Sequence, residues 1–105
     1  MLDTTHQNCL DACQDCVTAC AACLDACAGE AGMADCIRDC RDCIAVCEAC
    51  VLMVAGNSRH AHEICRACYE ICIDCAATCG QHEDAHCQRC AEACRHCAEA
   101  CRALL

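Results

Sequence analysis

The chain has 105 residues, a net charge of −9 and 21 cysteines, with Tyr69 as its one aromatic residue and no proline. This length predicts one domain, and the acidic balance with so few aromatic rings argues against nucleic acid or an anionic membrane as a partner. A core this poor in large side chains would be weak if cysteine acted only as a small hydrophobic residue, so a further source of cohesion is expected.

The N-terminal residues MLDTTHQN contain neither the basic nor the apolar region of a signal peptide, and no apolar run is long enough to span a bilayer. We therefore expect a cytoplasmic protein. Because thiols are kept reduced in the cytosol, the density of cysteines favours metal binding over disulfides. Secretion would reopen the disulfide interpretation, although 21 is an odd number and five or six thiols on one helix face do not suit disulfide geometry.

The cysteines fall into four runs in which successive cysteines are three or four residues apart. This is the a/d spacing of an amphipathic helix, with thiols in the place of leucines. The runs are Cys9, Cys13, Cys16, Cys20, Cys23 and Cys27; Cys36, Cys40, Cys43, Cys47 and Cys50; Cys65, Cys68, Cys72, Cys75 and Cys79; and Cys87, Cys90, Cys94, Cys97 and Cys101.

Each run predicts one helix. Thr4, with Gln7 three residues later, predicts a capping box at the start of the first helix. Asn57 or Ser58 would cap the third helix. The glycines lie between the runs, and each is expected to end a helix in the left-handed conformation: Gly29 and Gly32, then Gly56, then Gly80. The expected helices span approximately residues 4–28, 33–55, 58–79 and 83–103.

Short connections force neighbouring helices to run antiparallel. The chain is therefore expected to be all-α, a single domain over residues 1–105, folded as an up-down-up-down four-helix bundle with a cysteine-lined core. A second apolar stripe beside the cysteines either packs within the bundle or is buried against another subunit. Its members on the first two helices are Leu10, Val17, Leu24, Ile37, Ile44 and Val51.

Thiols three or four residues apart on a helix share one face and form candidate bidentate sites. Such soft ligands select Cu(I), Zn(II) or iron–sulfur clusters. Five stacked four-thiolate layers of Zn(II), at about −2 each, would bury about −10 without a basic partner, and iron–sulfur cubanes meet the same objection. Examples of the paired thiols are Cys9/Cys13, Cys16/Cys20, Cys36/Cys40 and Cys68/Cys72.

A monovalent ion avoids this charge problem when thiolates are shared. Cu(I) accepts two or three sulfur ligands, and with thiolates bridging ions the number of ions can approach the number of sulfurs, which leaves the core near neutral. Thiols held in pairs would bind about 10 ions, and thiols that each bridge two ions would bind about 20. The pattern therefore favours multiple Cu(I) ions per chain over one specific site.

Further candidate ligands lie near the turns of the bundle. The end formed by the first and third turns, which we call the mouth, gathers Met33, His82 and His86 beside cysteines, and these side chains suit a soft cation on its way to the thiols. They are otherwise ordinary turn residues. At the opposite end His6, Met53 and His62 lie near Val54, Leu104 and Leu105. The apolar side chains indicate a plug, and metal entry at this end is the alternative.

The segment from Cys79 to Cys94, CGQHEDAHCQRCAEAC, places a histidine-bearing turn before the last cysteine run. Here the chain resembles the cytosolic branch of the bacterial copper storage proteins, over essentially its whole length. The resemblance implies storage of Cu(I) on cysteine thiolates inside each bundle, a homotetramer of bundles, and metal access at a mouth onto which His82 and His86 map. One departure is the turn AGEAGMA, which lacks histidine.

These observations lead us to expect cytosolic storage and buffering of Cu(I), with copper ions as partners and with no catalysis. The sequence shows no Gly-rich phosphate loop and no Cys-His-Asn arrangement apart from the ligand array. Two alternatives stay open at this point: an iron–sulfur or electron-transfer protein, and a zinc or general thiol buffer.

Overall fold

The computed structural model describes residues 2–105, and that part of the chain forms four α-helices and no strand. The helices are α1 (Thr4–Cys27), α2 (Ala34–Ala55), α3 (Ala61–Gly80) and α4 (Ala85–Arg102). Each helix contacts its two neighbours around the bundle: α1 packs on α2 and α4, and α3 packs on α2 and α4. The bundle measures 44 × 18 × 17 Å. The predicted all-α class and four-helix bundle are confirmed.

Adjacent helices are antiparallel, and their cysteines face each other in a constant register. Seven residues forward along α1 correspond to seven residues back along α2, so a heptad pattern on one helix meets the same pattern on the next. The sulfur pairs between α1 and α2 are Cys9–Cys50 (4.0 Å), Cys16–Cys43 (3.4 Å) and Cys23–Cys36 (3.6 Å). Those between α2 and α3 include Cys43–Cys72 (3.5 Å), Cys47–Cys68 (3.7 Å) and Cys50–Cys65 (3.9 Å).

α1 begins at the predicted residue but with a different cap, and the other three helices begin one to three residues later than predicted. Asp3, not Thr4, caps α1, and its side chain accepts a hydrogen bond from the backbone N–H of His6 at 2.9 Å. An Asp at the N-cap also complements the positive end of the helix dipole, an advantage that Thr lacks. α3 begins three residues later than predicted, at Ala61, and Ser58 Oγ accepts from the N–H of His60 at 3.0 Å.

Two of the predicted left-handed glycines are confirmed and two are wrong. Gly29 and Gly32 have φ of +82° and +81°, which lets the chain reverse within the short turn between α1 and α2. Gly56 has φ of −82°, and Asn57 takes the positive φ of +54° in its place. Gly80 is the last residue of α3. Asn is the non-glycine residue that most readily adopts this conformation, so the turn forms one residue later.

The core consists mainly of sulfur. All 21 cysteines have at most 1% of their surface exposed, and no polar or charged residue is buried within the described range 2–105. The other buried side chains are small or sit at the edges of the sulfur core: Leu10, Ala12, Met33, Val46, Val54, Ala76, Ala91 and Ala98. Thiols therefore occupy the positions that large apolar side chains fill in an ordinary bundle.

The second apolar stripe lies on the outer side of α1 and α2. Val17, Leu24, Ile44 and Val51 are half-buried against the core, while the neighbouring Leu52 is 76% exposed. A groove of about 450 Å³ crosses this surface between the two helices. None of the helices described here has the length and apolar character needed to cross a bilayer.

Candidate metal centre

The sulfur atoms form one continuous array along the bundle axis. All 21 cysteines are free thiols in the described chain, and Sγ atoms of different helices approach each other to 3.4–4.0 Å at most contacts. The closest pair, Cys36 and Cys79, is 2.9 Å apart. Because every helix contributes at 3- and 4-residue steps, no stretch of the axis lacks sulfur.

Sulfurs converge in groups of four whose members all lie within 4.8 Å of one another and are fully buried. One of these groups takes a single cysteine from each helix, as expected for four helices in register. The groups include Cys20/Cys40/Cys75/Cys90, Cys16/Cys43/Cys47/Cys72, Cys16/Cys20/Cys43/Cys94, Cys9/Cys13/Cys50/Cys101 and Cys13/Cys68/Cys97/Cys101.

These separations suit metal coordination. With a metal–sulfur bond of about 2.3 Å, two sulfurs on one ion are about 3.8 Å apart in a tetrahedron, about 4.0 Å in a trigonal plane and about 4.6 Å on a line. The observed contacts of 3.4–4.0 Å fall at the short end of this range. Small rotations about χ1 would therefore be enough to bring two or three sulfurs onto one ion.

Neighbouring groups share members. Cys16, Cys20 and Cys43 each belong to two of the four-sulfur groups, and so do Cys13 and Cys101. A thiolate that belongs to two groups is placed to bridge two ions. The arrangement therefore fits a chain of bridged ions, not a set of separate four-ligand sites.

The thiols paired within one helix lie close to each other or to a common third sulfur. Cys16 and Cys20 are 3.9 Å apart at sulfur, and so are Cys68 and Cys72. Cys36 and Cys40 are joined through Cys79, whose sulfur lies 2.9 Å from the first and 3.8 Å from the second. Cys9 and Cys13 share one four-sulfur group.

Burial keeps the thiols near the mouth protonated. It raises the pKa of Cys87 from its usual 9.0 to about 12, and it also raises the pKa of Cys27 and of Cys36. These protonated thiols place no charge in the core beside the mouth. One monovalent cation in place of one thiol proton leaves this charge unchanged, whereas a divalent ion held by four thiolates replaces four protons and adds about −2.

The raised pKa values predict how the stability of the metal-free, reduced protein depends on pH. Between about pH 9 and about pH 12 the folded state holds protons that the unfolded chain has already lost, so the free energy of unfolding should fall as pH rises. Urea denaturation followed by circular dichroism at about pH 8 and about pH 10.5 measures this. The Cu(I)-loaded protein, whose thiols are already deprotonated, is the control. Higher metal-free stability at the more alkaline pH would contradict the prediction.

At the mouth His86 joins the sulfur array. Its Nδ1 lies 3.5 Å from the sulfurs of Cys23 and Cys87 and 3.9 Å from that of Cys27. The side chain is 17% exposed, so it connects solvent with the first thiols. An imidazole nitrogen at this position offers a ligand of intermediate softness before the thiolates.

The other two candidates at the mouth are placed differently. His82 points Nε2 at the carboxylate of Asp35, at 3.3 Å, and is 20% exposed. Met33 is buried, with 6% exposure, and packs in the core cluster. Ligand roles for His82, His86 and Met33 stay predictions.

Carboxylates behind the histidines are the part of the mouth that sequence reasoning missed. Nε2 of His86 lies 3.8 Å from Glu30 and 3.7 Å from Asp84, and Asp35 contacts His82. A carboxylate near one ring nitrogen favours the proton there and leaves the other nitrogen free to bind metal. The acidic residues in both turns were a visible signal, but which ring each contacts depends on the turn conformation.

Comparisons with known proteins agree with a metal-binding role for this sulfur array. A family model described as copper storage protein matches residues 2–105. No curated protein matches the chain.

Among solved structures, the Cu(I)-bound copper storage protein BsCsp3 of Bacillus subtilis is 39% identical, with 95% of this chain and 97% of that chain covered and a TM-score of 0.89. The copper storage protein Ccsp from Streptomyces lividans, loaded with 10 copper equivalents, is 36% identical, with 96% and 83% covered and a TM-score of 0.90. A five-copper structure of a cytosolic copper storage protein from Streptomyces lividans is 37% identical, with 96% and 92% covered and a TM-score of 0.88.

Proposed function

The chain belongs to the copper storage protein family, and from this premise we propose that it stores and buffers multiple Cu(I) ions in the cytosol on the thiolates of its 21 cysteines. The observation that carries the proposal is the array of free, fully buried thiols in overlapping groups of four. The cytosolic location is supported by the similar Streptomyces lividans protein, which is described as cytosolic.

Charge and ligand type both support Cu(I) as the stored ion. The core offers sulfur without a buried basic side chain to balance divalent sites, and thiolates are soft ligands that prefer Cu(I). The Bacillus subtilis relative is Cu(I)-bound, and a Streptomyces lividans relative holds 10 copper equivalents. The overlapping groups give this chain room for a similar or larger number.

We assign ligand roles to all 21 cysteines, and access roles to His86, His82 and Met33. His86 is supported most directly because its Nδ1 touches three thiols. No catalytic role is proposed, since the family is one of storage proteins and the described thiols lie in the core instead of around a substrate pocket. Iron–sulfur chemistry and zinc buffering are less well supported, because four-thiolate sites of either kind leave net negative charge in the core, whereas Cu(I) ions that share bridging thiolates approach neutrality.

Anaerobic titration of the reduced protein with Cu(I), in competition with a chromophoric chelator, tests the function. Saturation is expected between about 10 and about 20 ions per chain, the limits for paired and for fully bridging thiols. The loaded protein should be colourless. Saturation at two or three ions would contradict storage, and brown colour with visible absorption after anaerobic reconstitution with iron and sulfide would favour the iron–sulfur alternative.

We also propose that the bundles assemble as a homotetramer, as the family resemblance implies. The half-buried stripe on α1 and α2 and the highly exposed Leu52 offer an apolar surface that a second copy would cover.

Light scattering after gel filtration is expected to give four times the chain mass of 11.2 kDa. Leu52→Glu should produce a smaller particle with the same Cu(I) capacity per chain, because the thiols lie on the other side of the helices. Ile73→Glu, at an exposed position of α3 outside the stripe, is the matched control. A wild-type monomer would refute the assembly without affecting the storage proposal.

A further inference from the structure

A small cavity opens at the end of the bundle opposite the mouth. Its volume is about 80 Å³, and it is lined by His6, Val54, Ala61, His62, Cys65 and Leu104. Cys65 is the one cysteine with measurable exposure, 1%, whereas the other 20 have 0%. Two imidazoles and the thiol of Cys65 therefore line one cavity at this end of the bundle.

The side chain of His6 is oriented by the carboxylate of Asp3. Its Nδ1 lies 2.7 Å from Asp3 Oδ1. A carboxylate oxygen only accepts hydrogen bonds, so the neutral ring carries its proton on Nδ1 and keeps a lone pair on Nε2. The same carboxylate caps α1 through the His6 N–H, which fixes the position of the ring. With 43% of its side chain exposed, the ring is also open to solvent.

Cys65 connects this cavity to the sulfur array. Its sulfur lies 3.9 Å from that of Cys50, which is 4.0 Å from Cys9; the sulfur of Cys9 is in turn 3.8 Å from that of Cys101. Cys9, Cys50 and Cys101 belong to one of the four-sulfur groups. An ion bound at Cys65 would thus be one sulfur contact away from the stored pool.

We propose that this cavity is a second Cu(I) access site, where His6 and His62 receive Cu(I) from solvent and transfer it to Cys65. The inference rests on the proposed storage function. Transfer exchanges Cu(I)–nitrogen bonds for a Cu(I)–sulfur bond, the thiol proton passes to the released imidazole or to water, and copper stays Cu(I) throughout. The sequence suggested an apolar plug here, and Val54 and Leu104 do narrow the cavity, but the imidazoles and the thiol share it with them.

The test removes the mouth first, so that the second route is measured alone. In a His82→Ala/His86→Ala background, adding His6→Ala/His62→Ala should slow loading from a Cu(I)–chelator complex by a further factor of about five or more, with capacity unchanged. His60→Ala/His96→Ala in the same background is the matched control: it also removes two exposed imidazoles, neither of which lines the cavity. Loading as fast as in the background variant would overturn the proposal.

A second variant keeps the test decisive if loss of the Asp3–His6 contact disturbs α1. Leu104→Ala should widen the cavity and speed loading in the mouth-deficient background, and Leu104→Trp should slow it. Equal rates for both would overturn the proposal. Nitrogen chemical shifts give an independent readout, since the Nε2 signal of His6 should move with the first Cu(I) equivalents. Failure of storage itself would appear as a low capacity in every variant, including the wild type.

Discussion

Loading with Cu(I) is expected to raise the midpoint of thermal unfolding by more than about 20 °C. Each ion that binds the folded state at a concentration 1,000 times its dissociation constant adds about 4 kcal/mol of stability, and several ions add together. In a domain of this size each kcal/mol shifts the midpoint by roughly 4–8 °C near the transition. The metal-free core contributes little apolar burial to the stability of the folded state, because its largest fully buried side chains are thiols.

The structural reason for so large a shift is that single ions join several helices. In the group Cys20/Cys40/Cys75/Cys90 each helix contributes one sulfur, so an ion or ion cluster there opposes separation of the whole bundle. Differential scanning calorimetry of metal-free and loaded protein measures the shift. Removal of the copper by an excess of a strong Cu(I) chelator should restore the lower midpoint. A loaded protein that melts within about 5 °C of the metal-free one would show that the ions bind outside the core.

Replacing His86 by Ala is expected to slow Cu(I) loading by about tenfold or more, without changing the number of ions bound. The imidazole is the one side chain at the mouth that contacts three thiols, Cys23, Cys27 and Cys87, and also reaches solvent. Its loss removes the intermediate ligand between water and sulfur but none of the 21 thiols. Stopped-flow transfer from a Cu(I)–chelator complex gives the rate, and the plateau gives the capacity.

The neighbouring histidines provide graded comparisons. His82→Ala should slow loading less, because the His82 ring contacts Asp35 and no sulfur contact accompanies it. His96→Ala, at an exposed position of the same helix as His86, should leave the rate unchanged. An equal rate for wild type and His86→Ala, or a lower capacity in the variant, would contradict an access role for His86.

The spacing of the cysteines predicts most of the fold and most of the site for one physical reason. Residues three and four apart share a helix face, so a pattern that is continuous from Cys9 to Cys27 defines both the helix and the side it buries. Because the turns are short, neighbouring helices run antiparallel. This arrangement places the sulfur of Cys16 beside that of Cys43 and the sulfur of Cys20 beside that of Cys90.

What the sequence could not predict lies in the turns. Capping by Asp3, the late start of α3 and the left-handed Asn57 depend on competition between adjacent residues whose intrinsic preferences differ by about 1 kcal/mol or less. For the same reason, spacing favoured the wrong histidine as the sulfur contact: His82, three residues after Cys79, continues a cysteine run, whereas His86 is only adjacent to Cys87. The turn conformation then directs one ring to a carboxylate and the other to sulfur.

The constant seven-residue register between helices means that the bundle could be lengthened by whole heptads with the same internal packing. Because Cys9–Cys50, Cys16–Cys43 and Cys23–Cys36 repeat one local geometry, an added heptad on every helix would supply another rung of thiols without redesign of those already present. Helix length alone would then set the number of thiols and of bound ions. Longer or shorter versions of this bundle would differ in capacity and not in the geometry of each sulfur group.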